Sequence, residues 1–166
     1  MRVLILTNPH SGPQGSNEQL ARDAFARCAG VEAIIRALPG DQLHAAAKSA
    51  TSDGFDCIVA GGGDGTVSAV AGALAGTNVA LGVLPLGTLN HFAKDLGLPL
   101  DLTEAARAIC AGNVREIDIA EVNGRCFVNN SSIGLYPQIV KHRDGQIQRL
   151  GRGKWVAMLF ATLYAL

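Results

Sequence analysis

The 166-residue sequence predicts an α/β fold: a parallel-sheet nucleotide-binding domain followed by the start of a second, β-rich domain. Short apolar runs rich in branched residues recur at 2–7, 31–37, 56–60 and 79–85. Segments with apolar residues at helical spacing separate them. Strands that alternate with helices form a mostly parallel sheet. Such strands are covered on both faces, which accounts for apolar runs that are continuous rather than alternating. The third observation is that the loops at 8–12, 61–66 and 85–90, each at the end of a strand, carry unusual chemistry. Ligands of open parallel sheets bind outside the carboxyl ends of the strands.

Each element has its own justification. "RVLILT" at 2–7 reads as a buried strand, ended by the turn chemistry of "NPHSG". Residues 17–29 carry Leu20, Ala24 and Cys28 at helical spacing. "VEAIIRA" at 31–37 is a second strand, closed by "PG", and 41–52 reads as a helix. "DCIVA" at 56–60 is the third strand. From Thr66 to Ala75 the apolar residues Val67, Val70, Ala71 and Leu74 share one helical face. "VALGVLP" at 79–85 is the fourth strand, with a helix expected from about Leu89 and another over 102–111. The pattern then changes. "REIDIAEV" at 115–122 and "RCFVNN" flank Asn123-Gly124, and Asn-Gly between two strand-like runs signals a two-residue hairpin. The domains are therefore expected at 1–122 and 123–166.

Composition narrows the function classes. Hydrophobic residues make up 48% and charged residues 17%, enough for a buried core and against disorder. The formal net charge is zero, so nucleic acid is not indicated as a partner. The charge is nevertheless uneven: residues 1–140 carry a net −4 and residues 141–166 a net +4, from Lys141, Arg143, Arg149, Arg152 and Lys154 against Asp144. That cluster is either a solvated loop or a contact for an anionic partner such as a phosphate or a membrane surface. Cys28, Cys57, Cys110 and Cys126 form no CxxC pair, and two sit in apolar contexts that suit buried free thiols. The N-terminus turns polar after Leu6, too early for a signal peptide, so a cytoplasmic location is expected. The longest apolar run, "WVAMLFATLYAL" at 155–166, falls short of the roughly 20 residues a spanning helix needs.

The chemistry concentrates in two loops. "GGGDGT" at 61–66 joins a strand to a helix. Glycine lets backbone approach a ligand closely. Consecutive N–H groups form an anion-binding nest, and the helix adds the positive end of its dipole. A strand–glycine loop–helix unit therefore suits phosphate; the plain alternative is a tight turn. The loop lacks the Lys-Ser/Thr ending of a Walker A motif and the spacing of GxGxxG. Asp64 would repel a bare phosphate, so it binds Mg²⁺, accepts a proton or shapes the loop. "PLGTLNHFA" at 85–93 repeats the theme. Gly87 permits the turn, and Thr88 and Asn90 offer neutral hydrogen bonds to phosphate oxygens or a base, or else cap the following helix.

"NPHSG" at 8–12, "GGGDGT" at 61–66, "PLGTLNHFA" at 85–93 and "IDIAEVNGRCFVNNSSIGL" at 117–135 together resemble the diacylglycerol kinase catalytic domain family, in its soluble bacterial lipid-kinase branch. Order and spacing agree along essentially the whole chain. The resemblance implies a fold shared with NAD kinases and an ATP site built by Asn8, the loop of Gly62, Gly63, Asp64, Gly65, Thr66, Val67 and Ser68, and Thr88. It also places Arg36 beside the nucleotide, where the family often has Thr. It matches Asp64 and Asp118 to aspartates that in some members join a water–Mg²⁺ network. The family usually has Asn-Asp-Phe-Ala where this chain has Asn90-His91-Phe92-Ala93, and a neutral His91 brings no negative charge.

The family's second domain carries an Asp-Gly-Glu motif with the presumed general base. Here Asp144-Gly145 is followed by Gln146. The base is therefore expected outside these residues, and the chain is expected to be a piece of a longer protein, inactive alone and prone to self-association into a homo-oligomer through 155–166. The leading expectation is the ATP-binding domain of a lipid kinase that transfers the γ-phosphoryl of ATP, with Mg²⁺, to a lipid hydroxyl, in contact with the membrane periphery. The alternatives are a non-catalytic nucleotide-binding module and an NAD-kinase-like enzyme.

Overall fold

The computed structural model describes residues 1–11 and 17–128. The basic cluster of 141–154 and the apolar run at 155–166, with the anionic contact and the self-association expected of them, lie outside the described residues, as does the Asp144-Gly145-Gln146 sequence. Four strands, β1 (Arg2–Thr7), β2 (Glu32–Ala37), β3 (Cys57–Gly62) and β4 (Ala80–Pro85), form one parallel sheet in the order β2-β1-β3-β4. Between them run α1 (Asn17–Phe25), α2 (Leu43–Ala50) and α3 (Asp64–Leu74); α4 (His91–Asp95) and α5 (Leu102–Cys110) follow β4. The parallel α/β class read from the sequence is the class observed.

The alternation of side chains along a strand sorts the core into two layers. Leu4 and Leu6 of β1, with Ile58 and Ala60 of β3, pack against Leu43 and Ala47 of α2, Val67 and Val70 of α3, and Phe92 of α4. Val3 and Ile5, with Cys57, Val59 and Leu84, pack on the other face against Ala21, Ala24 and Phe25 of α1 and Ala105 and Ala106 of α5. Every residue of β3 is buried, which explains why that run has no polar alternation. The edge strand β2 is the least covered.

The chain steps from β1 outward to β2, then crosses back over β1 to β3 and continues to β4. Chain leaving β1 turns to α1 on one face, and chain leaving β3 turns to α3 on the other. The loops after β1 and β3 therefore part at a topological switch point and leave a crevice at the carboxyl edge of the sheet. Beyond α5, the run expected as a strand from 115 forms one only at β5 (Ala120–Val122), paired antiparallel with β6 (Arg125–Phe127). The preceding residues 113–118 are exposed and pair with no strand among the described residues. Asn123 and Gly124 take φ of 50° and 72°, the left-handed pair that a two-residue hairpin turn requires. All described residues fall in one compact unit, hairpin included.

Candidate nucleotide site

A cleft of about 330 Å³ lies at the switch point, lined by Asn8, Ser11, Gly40, Leu43, Gly63, Gly65 and Thr66. Its size is at the lower end of small-molecule sites. Asn8 closes β1. Its side-chain oxygen accepts the His10 N–H at 2.9 Å, which bends the chain away from the sheet. Buried Asn17, the first residue of α1, holds this bend from below: its amide donates to the carbonyls of Asn8 at 2.6 Å and Ser11 at 2.7 Å. The Ser11 and Thr66 hydroxyls stand 3.3 Å apart and tie the β1 loop to α3. Thr7, at the end of β1, is fully buried, and its Oγ1 has no hydrogen-bond partner among the described residues.

On the β3 side, α3 begins at Asp64, two residues before the sequence pattern suggests. Its first intrahelical bond is donated by Val67 N–H to the Gly63 carbonyl at 3.0 Å. The N–H groups of Asp64, Gly65 and Thr66 find no acceptor among the described residues. These are the orphan donors of a helix N-terminus, where the dipole is positive. A Cβ on Gly62 would overlap the Thr66 side chain, so glycine there lets the Thr66 hydroxyl turn in beside the cleft.

The second loop is organised differently. Asn90 adopts φ 50° and ψ 47°, and α4 starts at His91 rather than Leu89. The Asn90 side chain is committed to its own loop: Oδ1 accepts from Gly87 N–H at 3.0 Å, and Nδ2 donates to the carbonyls of Gly87 at 2.9 Å and Pro85 at 3.3 Å. Neither Thr88 nor Asn90 caps α4. The cap comes from Asp64, whose Oδ1 accepts from Phe92 N–H at 3.0 Å and Oδ2 from His91 N–H at 3.2 Å. Gly63 and Gly87 meet backbone to backbone: a Cβ on Gly87 would overlap the Gly63 Cα and come within 2.9 Å of its N. Thr88 and Leu89 are left exposed at the tip.

Of the residues singled out from sequence, Asn8, Gly63, Gly65 and Thr66 come together in the cleft wall. Gly62 forms the buried strand end behind them, and Gly87 packs on Gly63. Val67 departs from the expected loop role: its side chain points into the core because it lies on the face of α3 that covers the sheet. Ser68 is half-buried on α3 and does not line the cleft. Arg36 is exposed on β2, in register with Leu6 and so on the α2–α3 side of the sheet, the same side as Leu43 and Thr66. Asp118 is exposed in the chain before β5, and no three His, Cys, Asp or Glu side chains among the described residues converge as a metal cluster. Ser11, Gly40 and Leu43 were not named from sequence. Gly40 lies in the loop after β2, a further loop at the carboxyl edge, and Leu43 opens α2 directly after it; that placement was the available signal. The four cysteines are free; burial pushes the Cys57 thiol up to about 12, as suits a core residue rather than a nucleophile.

The family model described as the diacylglycerol kinase catalytic domain matches residues 2–122, which include every residue lining the cleft. A diacylglycerol kinase from Bacillus subtilis is 42% identical over 145 residues, covering 83% of this chain and 47% of the relative. A Citrobacter koseri protein named "Probable lipid kinase YegS-like" is 42% identical over 135 residues, covering 76% of this chain and 45% of the relative. A solved diacylglycerol kinase structure from Bacillus anthracis superimposes with a TM-score of 0.63 at 29% identity, over 77% of this chain and 46% of that one. The chain thus spans about half the length of the relatives it matches. The parallel sheet, the two joined loops and the match over residues 2–122 agree: this chain belongs to the diacylglycerol kinase catalytic domain family, the family of its lipid-kinase relatives.

Proposed function

We propose that the chain is the ATP-binding part of a lipid kinase, which transfers the γ-phosphoryl group of ATP to a lipid hydroxyl. One observation carries this reading. The N–H groups of Asp64, Gly65 and Thr66, without an acceptor among the described residues, open a helix beside a cleft walled by the polar side chains of Asn8, Ser11 and Thr66. Phosphate suits such a place, because it supplies the acceptors that the donors lack and the charge that the dipole favours. In this reading Gly62 and Gly63 let the loop approach the phosphates, Thr88 adds a hydroxyl from the second loop, and Gly87 and Asn90 hold that loop in shape. Arg36 reaches in from β2 as a cation. Val67 and Ser68 support the helix behind the donors.

Mg²⁺ is proposed to arrive with the nucleotide; each Asp64 oxygen already accepts one backbone N–H, which leaves that carboxylate fewer sites for the ion. Asp118 has neither a hydrogen bond nor an ion pair among the described residues and is the carboxylate free to join it. When bound, the ion neutralises phosphate charge. The acceptor lipid, its general base and any contact with a membrane surface belong to the proposal for the whole protein. No helix among the described residues is long and apolar enough to cross a membrane.

Titration calorimetry of the 166-residue chain with Mg·ATP tests the reading. Saturable binding of one equivalent is the expected result, and no heat from a chain shown to be folded by circular dichroism overturns it. In a radiolabelled-ATP assay with mixed lipids, the chain is expected to bind without turnover. Turnover would place the catalytic groups within residues 1–166.

A further inference from the structure

Asp64 sits at the first position of α3, yet its carboxylate serves a different helix. The residue placed to cap α4, Asn90, is in the left-handed region with its amide bonded to Gly87 and Pro85. The first two N–H groups of α4 therefore depend on Asp64, 27 and 28 residues earlier in the chain. A charge-assisted pair of this kind is stronger than a neutral cap. Next to it the Gly63 and Gly87 backbones are in contact, so the two loops are joined at two adjacent points.

We infer that Asp64 is a positioning residue whose carboxylate locks the 85–92 loop to the 61–66 loop and so fixes the two halves of the nucleotide site relative to one another. The inference rests on the nucleotide reading above and deepens it. In this role each Asp64 oxygen spends one acceptor site on the second loop, and no base or metal chemistry is assigned to it. With the carboxylate removed, Phe92 and His91 lose their acceptor, α4 loses its first turn, and Thr88 is free to drift from the orphan donors of α3. Asparagine is the sharp substitution. Its oxygen can accept one of the two N–H groups, while its NH₂ meets the other donor to donor.

Amide hydrogen exchange, read by NMR on the nucleotide-free 166-residue chain, tests the lock itself. In Asp64→Asn, protection at His91 and Phe92 is expected to fall while that of β1 and β3 is kept. Unchanged protection at both amides overturns the inference. ATP affinity, measured with Mg²⁺ and again with EDTA, tests positioning. A lost charge-assisted bond predicts a fall of about tenfold in both conditions. A fall confined to the Mg²⁺ condition makes Asp64 a metal ligand and overturns the positioning role. Asp64→Glu keeps the charge and any capacity to ligate a metal but displaces the carboxylate by one methylene. It is expected to lose both amide protection and ATP affinity; lost protection with wild-type affinity overturns the role. A folded wild-type chain that fails to bind ATP overturns the nucleotide reading and the positioning role with it, and the exchange data then still decide whether the lock exists.

Discussion

After β3 the chain leaves the N–H groups of Asp64, Gly65 and Thr66 without an acceptor among the described residues, beside the cleft. After β4 the N–H groups of Gly87, His91 and Phe92 are all bonded, to Asn90 and Asp64 side chains. Both loops leave parallel strands at the same edge, and both are built on glycine. The first glycine loop leaves the donors of its helix start open; the second has the donors at its turn and helix start bonded to Asn90 and Asp64. An anion site needs open donors, whereas a support needs closed ones, since a buried polar group without a partner is costly. On the nucleotide reading proposed above, the difference divides the labour: the 61–66 loop presents the binding surface, and the 85–92 loop braces it and contributes its exposed tip at Thr88.

The strongest way to break this comparison is to push the loops apart. A Cβ on Gly87 would overlap the Gly63 Cα and come 2.7 Å from Asn90 Oδ1, and both loops are fixed by short bonds. Overpacking of this kind typically costs about 1–3 kcal/mol, and Gly87→Ala is expected at the upper end, with ATP binding lost as well. Urea denaturation checks it. A Gly87→Ala chain as stable as the wild type would show that the loops tolerate separation and would remove the bracing argument. Gly63 is the milder partner, because a Cβ there stands 3.4 Å from the Gly87 Cα, ordinary contact. The two branches of valine reach further, so Gly63→Val combines a binding defect with some loss of stability.

Gly65 separates binding from folding. It lines the cleft, and a Cβ on it would meet no atom of the described residues within 4 Å. It also lies in the first turn of α3, where exchanging Gly for Ala favours the helix by up to about 1 kcal/mol. Gly65→Ala is therefore expected to melt slightly higher than the wild type while ATP affinity falls about tenfold, as for one lost charge-assisted bond. Melting and calorimetry on the same sample decide it. Equal affinity would mean that no ligand approaches the α3 N-terminus.

Local patterns made the fold legible and left half of the site unread. The apolar runs located all four parallel strands within a residue or two, because a strand buried on both faces has nowhere to put a polar side chain. Asn123-Gly124 located the hairpin because the turn demands left-handed backbone. Asn8, Gly63, Gly65 and Thr66 were legible for a similar reason: strand–glycine–helix is a local arrangement that the sequence displays. For Asp64 the sequence offered loop shaping as one of three roles, but it did not show the partners. They are 27 and 28 residues away, and a carboxylate facing N–H groups leaves no trace in spacing. Asn90 misled in the same way. It stands where a cap would stand, but the left-handed backbone turns its amide back onto Gly87. Leu43 and Gly40 were hidden because the loop after β2 carries no glycine-rich signature, only position.

The smallest expected effect sharpens the comparison most finely. Thr88 is exposed, has no hydrogen bond among the described residues and does not cap α4. At the exposed tip of that loop its hydroxyl is open to a ligand. Thr88→Val removes that hydroxyl at nearly constant shape. Because the hydroxyl bonds to nothing among the described residues, the melting temperature is expected to stay within error of the wild type. Because one neutral hydrogen bond to the ligand is lost, ATP affinity is expected to fall by about 0.5–1.5 kcal/mol, some two- to twelvefold. The same substitution on an Asp64→Asn background gives the sharper reading. Once the lock is open, the tip is no longer held at the site, and removing its hydroxyl should cost less than it does in the wild type. Additive losses in that double-mutant cycle, measured by calorimetry, would mean that Thr88 reaches the ligand without help from Asp64.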